Sequence, residues 1–104
     1  MQRGWIKSYK KKLDWEWFTE PLTAHLFDYL LHAVNYEDKT YRGEAIMAGQ
    51  LVTSYDKLST KTGMSVQSVR TALKNLELTN DITRQSTRQG TKITVNNWLI
   101  YQGS

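Results

Sequence analysis

The sequence predicts a mixed α+β domain built on a helix-turn-helix with a small antiparallel sheet. Three stretches lead there. Residues 51–82, LVTSYDKLSTKTGMSVQSVRTALKNLELTNDI, read as a short helix, a glycine-centred turn and a longer amphipathic helix. Residues 82–97, ITRQSTRQGTKITVNN, read as two short strands around a break. GQLVTS, residues 49–54, reads as another strand just before the helices. At 104 residues and without cysteine, the chain can bury one core and must do so without disulfides. A single domain over residues 1–104 is therefore expected.

The N-terminal segment, GWIKSYKKKLDWEWF, is an aromatic-rich extension. Trp15, Trp17 and Phe18 are expected to cover the core of a domain too small to close otherwise. A surface for stacking nucleotide bases is the alternative for this segment. Lys10, Lys11 and Lys12 are expected to be exposed and are candidates for phosphate contact. Glu20-Pro21 opens the next helix, since proline is tolerated where an amide hydrogen would go unpaired anyway. Leu22, Leu26, Tyr29, Leu30, Ala33 and Val34 form its buried stripe, and Phe27 and Leu31 broaden it to a second side. Such a helix is either sandwiched within the fold or half of an interface, so a homodimer is one expectation. Residues 35–48 read as a polar loop with a short strand near 44–47. Its acids Glu37, Asp38 and Glu44 are a candidate contact face for a basic protein partner.

The helix-turn-helix is read from its punctuation. Ser54 caps a helix over residues 55–62, Gly63 suits the left-handed residue that ends it, and Ser65 caps a second helix over 66–78. Val66, Val69, Ala72, Leu73 and Leu76 make the inner face of that second helix. Gln67, Thr71 and Lys74 fall opposite, flanked by Ser68, Arg70 and Asn75. With Ser65 at its start, this is a set suited to base edges and phosphates in a major groove. The hairpin that follows breaks at Arg88-Gln89-Gly90 and is expected to present Arg84, Arg88 and Lys92 at its tip, with Gln89 beside them. No acid lies between residues 82 and 104. A hairpin after a recognition helix, paired with a strand before the helices, is a winged helix-turn-helix.

Charge is segregated. Residues 1–12 carry five bases and no acid, residues 13–53 two bases and seven acids, and residues 54–104 seven bases and three acids. The arrangement suits one face for phosphates and another for something else. No signal peptide or apolar run long enough to span a bilayer is seen, so the expected location is the cytoplasm and no membrane partner is expected. Catalysis is not expected. His25 and His32 are seven residues apart on one helix, roughly 10 Å of rise, which is awkward for one metal ion. Asp14, Glu16 and Glu20 cluster without a visible partner set, and no phosphate-binding glycine loop is present. No catalytic residue, metal site or cofactor is assigned.

Three segments, GWIKSYKKKLDWEWF, GQLVTSYDKLSTKTGMSVQSVRTALKNLE and ITRQSTRQGTKITVNNWLIYQ, resemble the N-terminal domain of phage and prophage replication proteins of Gram-positive hosts, the replisome organisers or DnaD-like replication initiators. The resemblance covers nearly the whole chain. It implies a winged helix that binds origin DNA and helps recruit the host helicase-loading machinery, in the host cytoplasm if the protein is phage-encoded. Longer members continue into a linker and a second helical domain, so residues 1–104 are expected to be the first domain of a longer protein, with a natural short form as the alternative. Duplex DNA is the expected partner, with the 66–78 helix in the major groove and the wing on the backbone. A small transcriptional regulator using the same surface is one alternative. A protein-interaction module that docks on a helicase loader or another replication protein is the other, and the fold alone does not decide among them.

Overall fold

The computed structural model describes residues 14–98. In chain order the elements are α1 (Pro21–Ala33), β1 (Lys39–Tyr41), β2 (Glu44–Ile46), β3 (Gln50–Thr53), α2 (Tyr55–Thr62), α3 (Val66–Leu78), β4 (Ile82–Thr87) and β5 (Gly90–Val95). β1 and β2 form a two-stranded antiparallel sheet, and β3, β5 and β4 form a three-stranded one in that order. The strand before the helices therefore pairs with the second strand of the hairpin after them, from Gln50 opposite Thr94 to Thr53 opposite Thr91.

Local chemistry sets the helix ends. Ser54 Oγ accepts from the Lys57 amide at 3.1 Å, and Ser65 Oγ accepts from the Ser68 amide at 3.0 Å. Gly63 has φ +78° and donates its amide to the Ser59 carbonyl. The link between α2 and α3 is tied twice more. The Met64 amide donates to Thr62 Oγ1 at 3.2 Å, and Ser59 Oγ donates to the Met64 carbonyl. Met64 itself is buried, which pins the turn to the core.

Leu26, Leu30, Leu58, Val69, Leu73, Leu76 and Ile93 are all fully buried, so α1, α2, α3 and the central strand β5 share one core. One residue of the expected α1 stripe is misplaced. Leu22 is 50% exposed, and Thr23 is buried instead. The cause is tertiary: Asn75 on α3 donates to Thr23 Oγ1 at 3.0 Å, turning the start of α1 so that a hydroxyl rather than an isobutyl group faces α3. Phe27, on the second apolar side, packs against Trp15 at 5.2 Å between ring centroids. That side of the helix is thus partly covered within the chain.

The segment before α1 is fastened by its indoles. Trp15 Nε1 donates to Asp81 at 3.0 Å, and Trp17 Nε1 donates to Thr79 Oγ1 at 2.8 Å. Thr79 in turn donates to Asp81 at 2.6 Å. Trp15 and Trp17 therefore close over the end of α3, as expected, whereas Phe18 is 42% exposed.

The stretch expected to be a loop with one short strand is a full hairpin. β1 and β2 turn through Arg42 (φ +50°) and Gly43 (φ +82°), both left-handed, a geometry whose twist matches the strands it joins. The β4–β5 hairpin has Thr87 opposite Gly90, leaving Arg88 and Gln89 as its loop. Gly90 has φ +138°, and a Cβ there would lie 2.7 Å from the Thr53 carbonyl oxygen. At Gly43 a Cβ would meet nothing within 4 Å. Gly43→Ala therefore adds only backbone strain, about 1 kcal/mol, whereas Gly90→Ala adds strain and a collision with β3. Thermal or urea unfolding should show Gly90→Ala clearly the less stable; equal stabilities would contradict the packing of β3 on the hairpin.

Candidate functional site

The outward face of α3 is where the expectation and the structure meet. Gln67, Arg70, Thr71 and Lys74 are all exposed. Among the described residues, the side chains of Gln67, Thr71 and Lys74 make no hydrogen bond or ion pair with the rest of the chain. Arg70 lies over the Tyr55 ring, its Cζ 5.0 Å from the centroid. That contact ties α3 to the first residue of α2 while the guanidinium edge stays in solvent. Ser65 is exposed and Ser68 half-buried, and Ser65 Oγ donates to Ser68 Oγ at 3.0 Å. The junction thus offers two hydroxyls already paired with each other.

Three other residues expected on this surface are engaged by the fold. Asn75 is half-buried and spends its amide on Thr23. Arg84 is not at the hairpin tip. Its register partner is Ile93, which is fully buried, so both side chains lie on the face of the sheet turned to the helices. There Arg84 donates from Nη2 to Glu77 at 2.7 Å and from Nη1 to the Tyr55 hydroxyl at 2.6 Å. The hydrogen bond to Glu77 is the main cause that raises the Arg84 pKa above its ordinary value, against an opposing effect of burial. Lys92 is not at the tip either. It pairs in register with Val52 and Gln85 on the opposite face, and its Nζ lies 3.3 Å from Glu44 and 3.3 Å from the Ala45 carbonyl oxygen. Lys92 thereby clips the β1–β2 hairpin to the sheet.

Of the three bases expected at the tip, Arg88 alone is there, exposed in the two-residue loop beside half-buried Gln89. The loop is braced from within: the Gln89 amide donates to Thr87 Oγ1, and that hydroxyl donates to the Gly90 carbonyl. Lys10, Lys11 and Lys12 lie outside the described residues.

The acidic face is also partly used by the fold. Asp38 accepts the Ala48 amide at 2.8 Å, and Glu44 is paired with Lys92. Glu37 is exposed. The two histidines stand apart, His25 Nε2 donating to the Thr62 carbonyl and His32 Nδ1 to the Asp28 carbonyl. Among the described residues no group of three metal-ligating side chains comes together, and no helix is long and apolar enough to cross a membrane.

Two features of the surface were missed from the sequence. One is the Tyr55–Arg84–Glu77 contact. Its signal was available in the two-residue alternation of ITRQST, which puts Ile82 and Arg84 on one face. The other is Arg42, exposed at the β1–β2 turn within the acidic segment of the sequence. The chain matches no protein-family model, no curated protein sequence and no solved structure.

The geometry separates the arginines by role. Arg84→Ala removes an ion pair and leaves Glu77 and the Tyr55 hydroxyl to find water, a loss of about 1–2 kcal/mol. Arg88→Ala removes an exposed side chain and should change stability by no more than about 0.5 kcal/mol. Urea unfolding of the two variants checks this, and equal losses would contradict the assignment.

Proposed function

We propose that this chain is a winged helix-turn-helix domain that binds duplex DNA, with α3 in the major groove and the β4–β5 hairpin as the wing. The observation that carries the reading is the division of polar side chains. The fold uses Asn75, Arg84 and Lys92 for its own contacts and leaves Gln67, Thr71, Lys74 and Arg88 exposed. What remains on the surface is a mixture of amide, hydroxyl and cation on one helix, followed by an arginine at a hairpin tip. Those are the donors that read base edges and hold phosphates. The connectivity supports it: strand, helix, turn, helix, hairpin, with the first strand paired to the last.

In mechanism, Gln67 and Thr71 lie near the start of α3, where base edges are usually reached. Arg70, already fixed over Tyr55, and Lys74 take phosphates along the groove. Arg88 takes a phosphate from the wing. Arg84 acts indirectly, by holding the wing at a set angle to α3. The reading involves no catalytic step and no cofactor. The assignment to phage-type replication initiation, as the first domain of a longer replisome organiser, rests on the resemblance of the three quoted segments. A transcriptional role would use the same surface.

A second reading, docking on a helicase loader or on a second copy of the chain, draws on a different observation. Phe18, Leu22 and Leu78 are 42%, 50% and 77% exposed; the start of α1, which carries Leu22, is tied to α3 by Thr23–Asn75, and the segment before α1, which carries Phe18, is tied to the end of α3 by Trp17–Thr79. Leu78→Ser should weaken such docking without touching DNA affinity.

DNA titration at several salt concentrations tests the first reading. Lys74→Ala and Arg88→Ala should each weaken binding and lower the slope of log affinity against log salt by about one. Unchanged slopes in both would remove this surface. Gln67→Ala or Thr71→Ala should instead cost roughly 1–3 kcal/mol of preference for the native site over random DNA. A loss spread equally over both DNAs would assign these residues to the backbone.

A further inference from the structure

The turns of the two hairpins face each other across an open cleft of about 440 Å³. Arg42, Gly43 and Glu44 line one side, and Gln85, Thr87 and Arg88 line the other. We propose that this cleft is a second, sequence-independent grip on the DNA backbone, in which Arg42 and Arg88 hold phosphates of the duplex flanking the site read by α3. The proposal rests on the DNA-binding reading and extends it to a hairpin, β1–β2, that lies in the acidic part of the sequence.

Four observations converge. First, Arg42 and Arg88 are both exposed, and among the described residues neither has an ion-pair partner. The planar fork of arginine suits two oxygens of one phosphate. Second, the acid in the cleft is already neutralised, because Glu44 is paired with Lys92. The cleft therefore keeps the two free positive charges. Third, the two hairpins are joined to each other. Lys92 Nζ joins Glu44 and the Ala45 carbonyl of one hairpin to the sheet that carries the other. Each turn has a defined local geometry: one passes through two left-handed residues, and the other is braced by the Thr87 hydroxyl. Fourth, the lining is polar and open to solvent, offering amide and hydroxyl groups of Gln85 and Thr87 beside the arginines. Arg42 also lies 5.5 Å over the Tyr41 ring, which limits the directions its guanidinium can take.

The test uses Arg42→Asn, because asparagine tolerates the left-handed backbone that Arg42 occupies. Arg42→Lys is the companion, keeping charge without the fork. Binding to a duplex long enough to extend past the site is measured against salt, with Lys74→Ala as the control for the α3 surface. Arg42→Asn should bind roughly three- to tenfold more weakly at moderate salt, with a slope reduced by about one and no change in preference between native and random sequence. Arg42→Lys should keep the slope and lose part of the affinity. Hydroxyl-radical footprinting should show protection lost at flanking phosphates only. If Lys74→Ala weakens binding while folded Arg42→Asn matches the unaltered protein, the cleft is overturned and the α3 reading stands. If the unaltered protein binds no duplex DNA, the proposed function fails and the cleft as a DNA grip fails with it.

Discussion

The contact on which the rest of the surface depends is Arg84 with Glu77 and Tyr55. It joins β4, the end of α3 and the start of α2 at one point, through bonds of 2.7 and 2.6 Å. Charge-assisted hydrogen bonds of this length are the stronger kind, and the site is only partly exposed. Tyr55 is contacted by two guanidiniums, Arg70 at 5.0 Å and Arg84 at 6.0 Å from its ring centroid. The hairpin is therefore held from the helix side by Arg84 and from the other side by Lys92 on Glu44. A hairpin clamped on both faces keeps its tip in a fixed place relative to α3. In the proposed DNA-binding role, such a relation would let a helix face and a loop engage the duplex together, because flexible partners would lose ordering entropy on binding.

Five of the basic residues thus fall into two groups. Arg84 and Lys92 stabilise architecture. Lys74, Arg88 and Arg42 have no ion pair among the described residues. The distinction follows from strand alternation more than from composition. Arg84 and Lys92 sit in regular strands and have neighbours on their own faces. Arg42 and Arg88 sit in turns, where a side chain has few neighbours and points outward.

Much of the fold was legible because it is set locally. Ser54, Gly63, Ser65 and Pro21 act within a few residues of themselves, and each stands where the sequence puts it. The β3–β5 pairing was legible because Thr, Ile and Val runs lie on either side of the helices. Long-range polar contacts were not legible. Asn75 to Thr23, Trp15 to Asp81 and Trp17 to Thr79 join residues more than fifty positions apart, and no periodicity announces them. The first of these exposes Leu22 and buries Thr23. The β1–β2 hairpin was half seen, because its turn is Arg-Gly rather than the Asn-Gly or Asp-Gly that marks such turns. Of the candidate site, the α3 face was readable from helical spacing. The composition of the hairpin points to a basic tip, but strand alternation turns Arg84 inward beside Ile93 and Lys92 toward Glu44.

The most direct test of one rigid surface shared by α3 and the hairpin is amide NMR on adding a duplex that the protein binds. The account predicts shift changes at residues 65–74 and 88–90 together, at the same DNA concentration, with little change around Phe18 and Leu78. Changes confined to the Phe18, Leu22 and Leu78 surface, or changes at the hairpin that follow a different titration from those at α3, would contradict it.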